Sequence, residues 1–564
     1  MRGRRRPGSV IWIAAAPALL VTAPLSGIAF QNDERRSAYR HAARGRDNLI
    51  DALDYGFSSV DTFMDAGNFR PLGRFVQSLS GGFAIETAEA TGLAPHAVNG
   101  VGRLLSVLLL AVVATRVAAA LSGSSGQRSE LVVIVYPLVL GTTLVANGRG
   151  GPLVYFPGVF VVTTAAVLAV CLAVARETDM CRRRLRATEL PAMVLLGASA
   201  AMFHDLAYVA PPLAAVFIVA RASATGLPWR SVVRSAASGR WAALTTGFLL
   251  VFVPVRLVIA ARCGQSQCYA PSDLSFSGDV AGLVATRLTS GSPLAGWSLI
   301  SDLAGRYGLE FGFGDLLANA FGALLMAAVV AVTVTAAVRA DACAGHRTAA
   351  AAPSATGTIT SESGASREPP DPAAPAGVSR QQWRTGIALG LFGVATAGLP
   401  ALLVSLSRWL QQSRIDHGWR DTVLVQVGWS FAISSALLLL LAAVSRHVGR
   451  NARRIGAIGA AVLLGAGVSC TLLTNSRLAQ IDRRTPESAI TAQIATATIS
   501  FDSTDRGNAL RCALIDAYAQ QVPEHLWVGA PGVLEDLDEL MLDRHGLPFC
   551  DPDQPREHPG NPEN

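Results

Sequence analysis

Eleven apolar stretches, each of a length that can cross a bilayer, constrain this chain more than any other feature. They lie near 9–30, 101–121, 131–148, 152–175, 190–205, 207–221, 241–261, 315–338, 385–407, 422–445 and 456–474. A helix of about 20 apolar residues crosses the hydrocarbon core. Lipid offers no hydrogen bonds to a bare backbone, so crossing segments of this kind are helices. The expected fold class is an all-α polytopic membrane protein with about 11 transmembrane helices. Only 15% of the residues are charged, against ~25% in soluble domains.

All 47 basic residues are arginine. The absence of lysine excludes a Walker-type phosphate lysine, a Schiff-base lysine and a Ser–Lys dyad. No Gly-x-Ser-x-Gly or His-Glu-x-x-His occurs either, so hydrolysis by those routes has no support. The net charge of +7 is spread over many loops. It reads as a determinant of membrane orientation, not of nucleic-acid binding. Arginine- and alanine-rich composition without lysine points to a GC-rich bacterial genome, hence to a multi-pass protein of the bacterial plasma membrane.

The N-terminal Met-Arg-Gly-Arg-Arg-Arg precedes an apolar run too long for a signal-peptide core. It is expected to be a retained first helix with its N-terminus inside, and eleven crossings then place the C-terminus outside. Inner loops in this topology collect Arg176, Arg182, Arg183, Arg184, Arg186, Arg230, Arg234, Arg240, Arg446, Arg450, Arg453 and Arg454, as the positive-inside rule requires. Arg35, Arg36, Arg40, Arg44 and Arg46 fall outside, in a loop of about 70 residues. Long loops translocate largely regardless of charge. Cys263 and Cys268 share one outer loop, and Cys512 and Cys550 share the outer tail. Both pairs are expected to form disulfides on that oxidising side. Zinc is the rival for Cys263 and Cys268, disfavoured because no second ligand pair is near. Cys171, Cys181, Cys343 and Cys470 lie in helices or inside.

The expected organisation is an eight-helix block over 1–338, with a first outer loop at 31–100 and another at 262–314. A linker rich in Ala, Ser, Thr, Pro and Gly over 339–384 reads as disordered and cytoplasmic. A three-helix block follows over 385–474, then an extracytoplasmic domain over 475–564, with helices near 507–520 and 533–545. No clear internal repeat is present, which weakens an inverted-repeat transporter reading.

Chemistry concentrates in the first outer loop. Asp33 and Glu34 form an adjacent carboxylate pair at the outer end of helix one, and such a pair can serve as a base or hold a divalent cation. Acidic residues also commonly cap a loop exit. Leu49, Leu53, Phe57, Val60 and Met64, then Leu72, Phe75, Val76, Leu79 and Phe83, recur at helical spacing. Both stretches read as helices lying on the membrane surface. Arg70 and Arg74 stand among the second set, where guanidinium forks suit a phosphate.

A first helix, an Asp-Glu pair at its outer end and two juxtamembrane helices before helix two resemble the GT-C membrane glycosyltransferases, over roughly residues 1–120 and in overall layout. The resemblance implies a polyprenyl-phosphate-sugar donor and a catalytic or metal-binding role for Asp33 and Glu34. Many members carry a further acidic residue in the next short outer loop. Here that loop, around Arg149-Gly150-Gly151, has none, which puts metal binding in doubt.

Three further groups stand out. His204 and Asp205 occupy the tight outer turn between helices five and six, where they bind a phosphate or metal, or merely form a polar turn. Arg256 lies in the outer half of helix seven, either facing a lipid phosphate within the bundle or snorkelling. The loop Arg414-Ile415-Asp416-His417-Gly418-Trp419-Arg420-Asp421 sets an aromatic beside charge, which suits sugar stacking. Trp419, Trp297 and Trp409 are equally suited to an interfacial belt. The expected function is transfer of a sugar from a polyprenyl-phosphate donor to an extracytoplasmic acceptor. Asp33 and Glu34 would be catalytic, and Arg70, Arg74, His204, Asp205 and Arg256 would bind substrate. A lipid or amphiphile transporter and a non-enzymatic cell-envelope scaffold are the alternatives. The bilayer is the expected partner.

Overall fold

The computed structural model describes residues 7–44, 48–123, 128–175, 186–263, 274–276, 279–309, 376–413, 420–447, 450–523 and 529–553, with scattered positions between 317 and 328. These residues are helical, with no strand among them and one isolated bridge between Leu274 and Ser407.

Among the described residues, six helices are long and apolar enough to cross a membrane: Pro95–Leu121, Asp205–Thr225, Ala236–Cys263, Gln381–Ser405, Thr422–Ala443 and Ile458–Arg484. Four shorter apolar helices, Ala15–Gly27, Val132–Thr143, Gly158–Val174 and Glu189–Phe203, coincide with four more of the expected spans. The expected span at 315–338 and the linker at 339–384 lie largely outside the described residues. The chain is a helical membrane protein.

From the N-terminus, α1 (Pro7–Thr22) ends in a 3-10 turn over Ala23–Gly27. The first outer loop then folds as α2 (Asn32–Ala43), α3 (Leu49–Ser58), α4 (Val60–Asp65) and α5 (Pro71–Thr91). The bundle continues through α6 (Pro95–Leu121), α7 (Arg128–Thr143), α8 (Pro157–Val174), α9 (Glu189–Phe203), α10 (Ala210–Thr225), the short α11 (Trp229–Val233) and α12 (Ala236–Cys263). Beyond these come α13 (Val280–Ser290), α14 (Pro293–Arg306), α15 (Ala376–Ser405), α16 (Arg408–Ser413) and α17 (Thr422–His447). The C-terminal part comprises α18 (Arg450–Arg484), α19 (Pro486–Ile499), α20 (Asp505–Gln521) and α21 (Ala530–His545).

Helix α18 has 35 residues, a length of about 52 Å at ~1.5 Å per residue. That exceeds the ~30 Å hydrocarbon core, so the helix carries its last turns beyond the apolar zone. The tail expected to begin at 475 is there a continuation of this helix. Asn475, on that continuation, donates to the carbonyls of Val21 (2.7 Å) and Leu144 (3.0 Å) and accepts the Ala146 N–H (2.9 Å). These bonds satisfy backbone that the ends of α1 and α7 leave unpaired.

Loop contacts fall into two sets that share no loop. In the first, Arg149 meets Glu487 (3.5 Å) and Asp482 (3.7 Å), Arg262 meets Asp65 (2.7 Å), and Gln411 donates to the Ser275 carbonyl (2.8 Å). In the second, Arg240 pairs with Glu189 (2.9 Å), Arg221 bonds the Ala175 carbonyl, and Thr385 donates to the Ser122 carbonyl (3.4 Å).

The first loop and the C-terminal helices share one apolar core. Ala38, Tyr39 and Ala42 of α2 and Ala84, Ile85 and Ala88 of α5 pack with Tyr518, Val533, Leu537 and Met541. Helix α5 packs this face into protein, while the apolar set expected to rest on lipid lies elsewhere on the helix: Leu72, Phe75, Val76 and Leu79 are half-buried and Phe83 is exposed. Helix α3 keeps an exposed apolar face, at Leu49, Ile50, Leu53 and Phe57. Three of the loop arginines that oppose the positive-inside rule are paired across this contact. Arg36 and Arg40 meet Asp536 (2.5 and 2.8 Å), and Arg44 meets Glu539 (2.7 Å).

Cys512 and Cys550 form the expected disulfide, with Cα atoms 4.9 Å apart and a separation of 38 residues. Cys263 is disulfide-bonded; Cys268 lies outside the described residues. Closing the C-terminal loop stabilises this region by about 4 kcal/mol on chain-entropy grounds. Cys512→Ser is expected to lower the melting temperature of the C-terminal helices, and reductant should then add nothing further in a scanning-calorimetry comparison. A reductant effect of full size in the variant would show that the bridge is not the stabilising element.

Candidate functional site

The adjacent carboxylates at the start of α2 separate into different roles. Gln31 precedes the helix, and its side chain and that of Glu34 cap the first turn reciprocally, with the Gln31 N–H 3.4 Å from Glu34 Oε2. Such a box satisfies helix donors and places negative charge at the positive end of the helix dipole. Glu34 is buried. Asn99 donates to its Oε1 (3.2 Å), and Arg103 lies 3.5 Å from Oε2. Burial raises the Glu34 carboxyl above the usual range, with Arg103, Asn99 and the backbone of Gln31 and Phe156 pulling it back. Arg103 in turn donates to the carbonyls of Leu25 (3.1 Å) and Ile28 (2.6 Å). Glu34 thus fixes where α2 leaves the bundle.

Asp33 points elsewhere. It is exposed and lines a cavity of about 350 Å³. With Arg36, Ser37, Arg40 and His41 it forms one wall, at the spacing that puts residues on one helix face. Tyr55, Asn68, Arg70, Arg74 and Gln77 form the facing wall, and Arg420 closes one side. Arg420 is placed by its neighbour Asp421, which is buried beside Arg287 at 3.8 Å.

The cavity is rich in guanidinium. Arg74 is buried, its guanidinium lies over the Phe63 ring, and it bonds Tyr55. Burial first, then neighbouring Arg70, pushes it down to about 9. It stays protonated at neutral pH, but an anion between Arg70 and Arg74 would relieve both effects. Glycine at position 73 allows this placement. A Cβ there would collide with the Phe203 carbonyl, so only glycine lets α5 sit against the end of α9.

Tyr155 joins the site from the loop before α8. Its hydroxyl bonds Asp33. Burial raises the phenol well above its usual range, and Asp33 adds to the effect. The next residue, Phe156, has φ 46°, a region that bulky side chains rarely adopt. Its N–H bonds Glu34, and Pro157 opens α8 immediately after. Strain of this kind persists only where the surroundings enforce it. Here it places Tyr155 beside Asp33.

A second, smaller cavity of about 40 Å³ adjoins. His204, Asp205, Tyr208, Arg256 and Ser407 line it together with Arg420, which lines both cavities. Arg70 and Arg420 lie within electrostatic reach of both His204 and Asp205. Arg256 sits 5.7 Å from the centroids of both Tyr208 and Phe252, so it is held among aromatic rings rather than extended toward the surface. The structure therefore gathers Asp33, Arg70, Arg74, His204, Asp205 and Arg256 at two adjoining cavities.

Other expected contributors sit apart. Trp297 donates to Thr471 (3.1 Å), bracing α14 on α18, and Trp409 packs on the core. Arg414, Asp416, His417 and Trp419 lie outside the described residues. Among the described residues no group of three His, Cys, Asp or Glu is placed to hold a metal. Glu34 is committed to Arg103 and Asn99, and Asp33 faces arginines. This donor set does not fit a divalent cation.

Sequence reading missed Tyr155 and Tyr55 and placed Arg420 only in a loop. The aromatic pair Tyr155-Phe156 ahead of Pro157, directly after a glycine-rich stretch, was the available signal. Comparison of the sequence with models of known protein families finds no match, and comparison with curated proteins finds none.

Proposed function

We propose that the chain is a glycosyltransferase of the bacterial plasma membrane that moves a sugar from a polyprenyl-phosphate donor to an extracytoplasmic acceptor. The observation that carries this reading is Asp33, exposed in an arginine-lined cavity and bonded by Tyr155. The arginines suit a lipid phosphate, and Ser37, His41, Asn68, Tyr55 and Gln77 offer hydrogen bonds of the kind sugar hydroxyls take.

In the proposed reaction, Asp33 accepts the proton of the acceptor hydroxyl as its oxygen attacks the anomeric carbon. The anomeric carbon–phosphate oxygen bond breaks, and the electron pair leaves with the polyprenyl phosphate. Arg70, Arg74 and Arg420 stabilise the growing charge on that phosphate. Tyr155 orients Asp33, and Glu34 holds the helix that carries it.

The accompanying topology is eleven crossings, N-terminus inside and C-terminus outside. The contact pattern supports it. The first loop, Arg149, Arg262 and the C-terminal helices meet at one end, which requires an even number of crossings between each pair. Arg221, Arg240 and Thr385 make the opposite set of contacts. The Cys512–Cys550 bridge supports placing the first end in an oxidising compartment.

The test is direct. The purified chain in phosphatidylcholine vesicles is given polyprenyl-phosphate-linked hexoses and pentoses, each with a radiolabelled sugar and a candidate glycan or lipid acceptor. Sugar-dependent release of polyprenyl phosphate is expected with at least one donor, and Arg74→Gln should reduce it. Absence of turnover and of donor binding across the set would sink the reading.

A further inference from the structure

The smaller cavity contains a buried polar atom that the reaction above does not use. His204 is 1% exposed. Its Nδ1 accepts the Leu206 N–H at 3.2 Å, and a neutral imidazole that accepts at Nδ1 carries its proton on Nε2. Nε2 is buried and has no hydrogen-bond partner. The ring is held edge-on against Phe160, with centroids 5.5 Å apart at 90°. Arg256 Nε, in the same cavity wall, is likewise buried and unpartnered. Asp205 is the one carboxylate on the described wall, and the Tyr208 hydroxyl already bonds it. The remaining unmet groups are donors, so the cavity calls for an oxygen acceptor.

Size narrows the ligand. About 40 Å³ admits roughly one water-sized group, so a single oxygen enters and a whole headgroup does not. Leu274, Leu403 and Val404 make the rest of the wall apolar, and Arg420 connects the cavity to the larger one.

We propose that this cavity is a phosphoryl-oxygen subsite, in which one oxygen of a lipid phosphate takes the Nε2–H of a neutral His204, with Arg256 and Arg420 alongside. The inference deepens the functional reading and rests on a lipid phosphate being the ligand. The imidazole acts as a fixed donor and transfers no proton. Burial, with Arg70 and Arg420, holds His204 down at about 3 against the opposing pull of Asp205. The groups facing it are Asp205 and Tyr208 from the turn after α9, Arg70 from the segment before α5, Arg256 from α12 and Arg420 before α17. From α8 it meets the uncharged Phe160.

The experiment titrates a short-chain polyprenyl phosphate into the detergent-solubilised full chain by calorimetry, with inorganic phosphate as the parallel probe. His204→Ala should bind the lipid phosphate about 10-fold more weakly, the effect of one hydrogen bond to a charged group. His204→Asn, which restores an N–H donor, should recover most of that loss. The ratio of wild type to His204→Ala should be the same at about pH 5.5 and pH 8, because neutral imidazole does not titrate there. Taking the ratio cancels the titration of the ligand itself. Wild-type affinity in His204→Ala, an asparagine variant as weak as the alanine one, or a ratio that grows as pH falls would overturn the proposal. Inorganic phosphate bound as tightly as the lipid, with the same loss on substitution, would overturn the lipid assignment. These results leave Asp33-dependent transfer standing, whereas a wild-type chain that binds no polyprenyl phosphate removes the functional reading as well.

Discussion

Asp33→Asn abolishes sugar transfer while leaving the protein folded: the expected fall in kcat is about 10²–10⁴-fold, the span of a lost general base. Donor affinity should change little, because the arginines opposite are untouched. The fold should tolerate the change because Asp33 is exposed and Glu34 does the capping. Glu34→Gln supplies the contrast. It leaves Arg103 buried beside a neutral amide, so its first effect is on stability. Steady-state transfer and thermal melting, measured on both variants, separate the two roles. Transfer by Asp33→Asn within tenfold of wild type would remove Asp33 as the base.

Asp536→Ala is expected to detach the C-terminal helices from the first loop. The Asp536 carboxylate is 1% exposed and receives both Arg36 and Arg40. Removing it takes the shared buried carboxylate from Arg36 and Arg40, and breaking a buried pair in this way costs about 3–5 kcal/mol. Helix α21 should become sensitive to protease, and the cavity wall formed by Arg36 and Arg40 should lose its fixed geometry. Limited proteolysis with mass-spectrometric mapping reads this out. Glu539→Ala is the control, since its pairing with Arg44 is largely exposed and such pairs contribute ~0–1 kcal/mol. Equal protease resistance in Asp536→Ala and wild type would show that apolar packing alone holds the contact.

Apolar runs were legible because each span carries its own signal along the chain. The helices α20 and α21 and their disulfide were legible for the same reason, as local period and paired cysteines. Helix α2 was not. Its sequence, Asn-Asp-Glu-Arg-Arg-Ser-Ala-Tyr-Arg-His-Ala-Ala, looks like a charged loop because the partners of its arginines lie on α21. A period-based reading cannot see a carboxylate 500 residues away. Arg74 read as a surface residue, yet it is buried because α5 packs on protein. Phe156 gave no warning, since backbone strain is imposed by neighbours distant in sequence. The grouping of His204, Asp205 and Arg256 followed from ionisable residues placed near the ends of apolar helices, where few such residues occur without a partner.

The shared core of the first loop and the C-terminal helices also sets a timetable. Arg36 and Asp536 are separated by 500 residues. At ~5–20 residues per second, the ribosome needs on the order of 25–100 s to deliver the second after the first. Throughout that interval α2 and α5 stand at the membrane surface with Tyr39, Ile85 and Ala88 uncovered. Such a half-built face is open to aggregation and to proteases. The cavity that holds Asp33 is therefore among the last parts of the molecule to acquire its shape, and a ribosome that stalls before α21 releases a chain whose membrane helices are in place and whose active face is not.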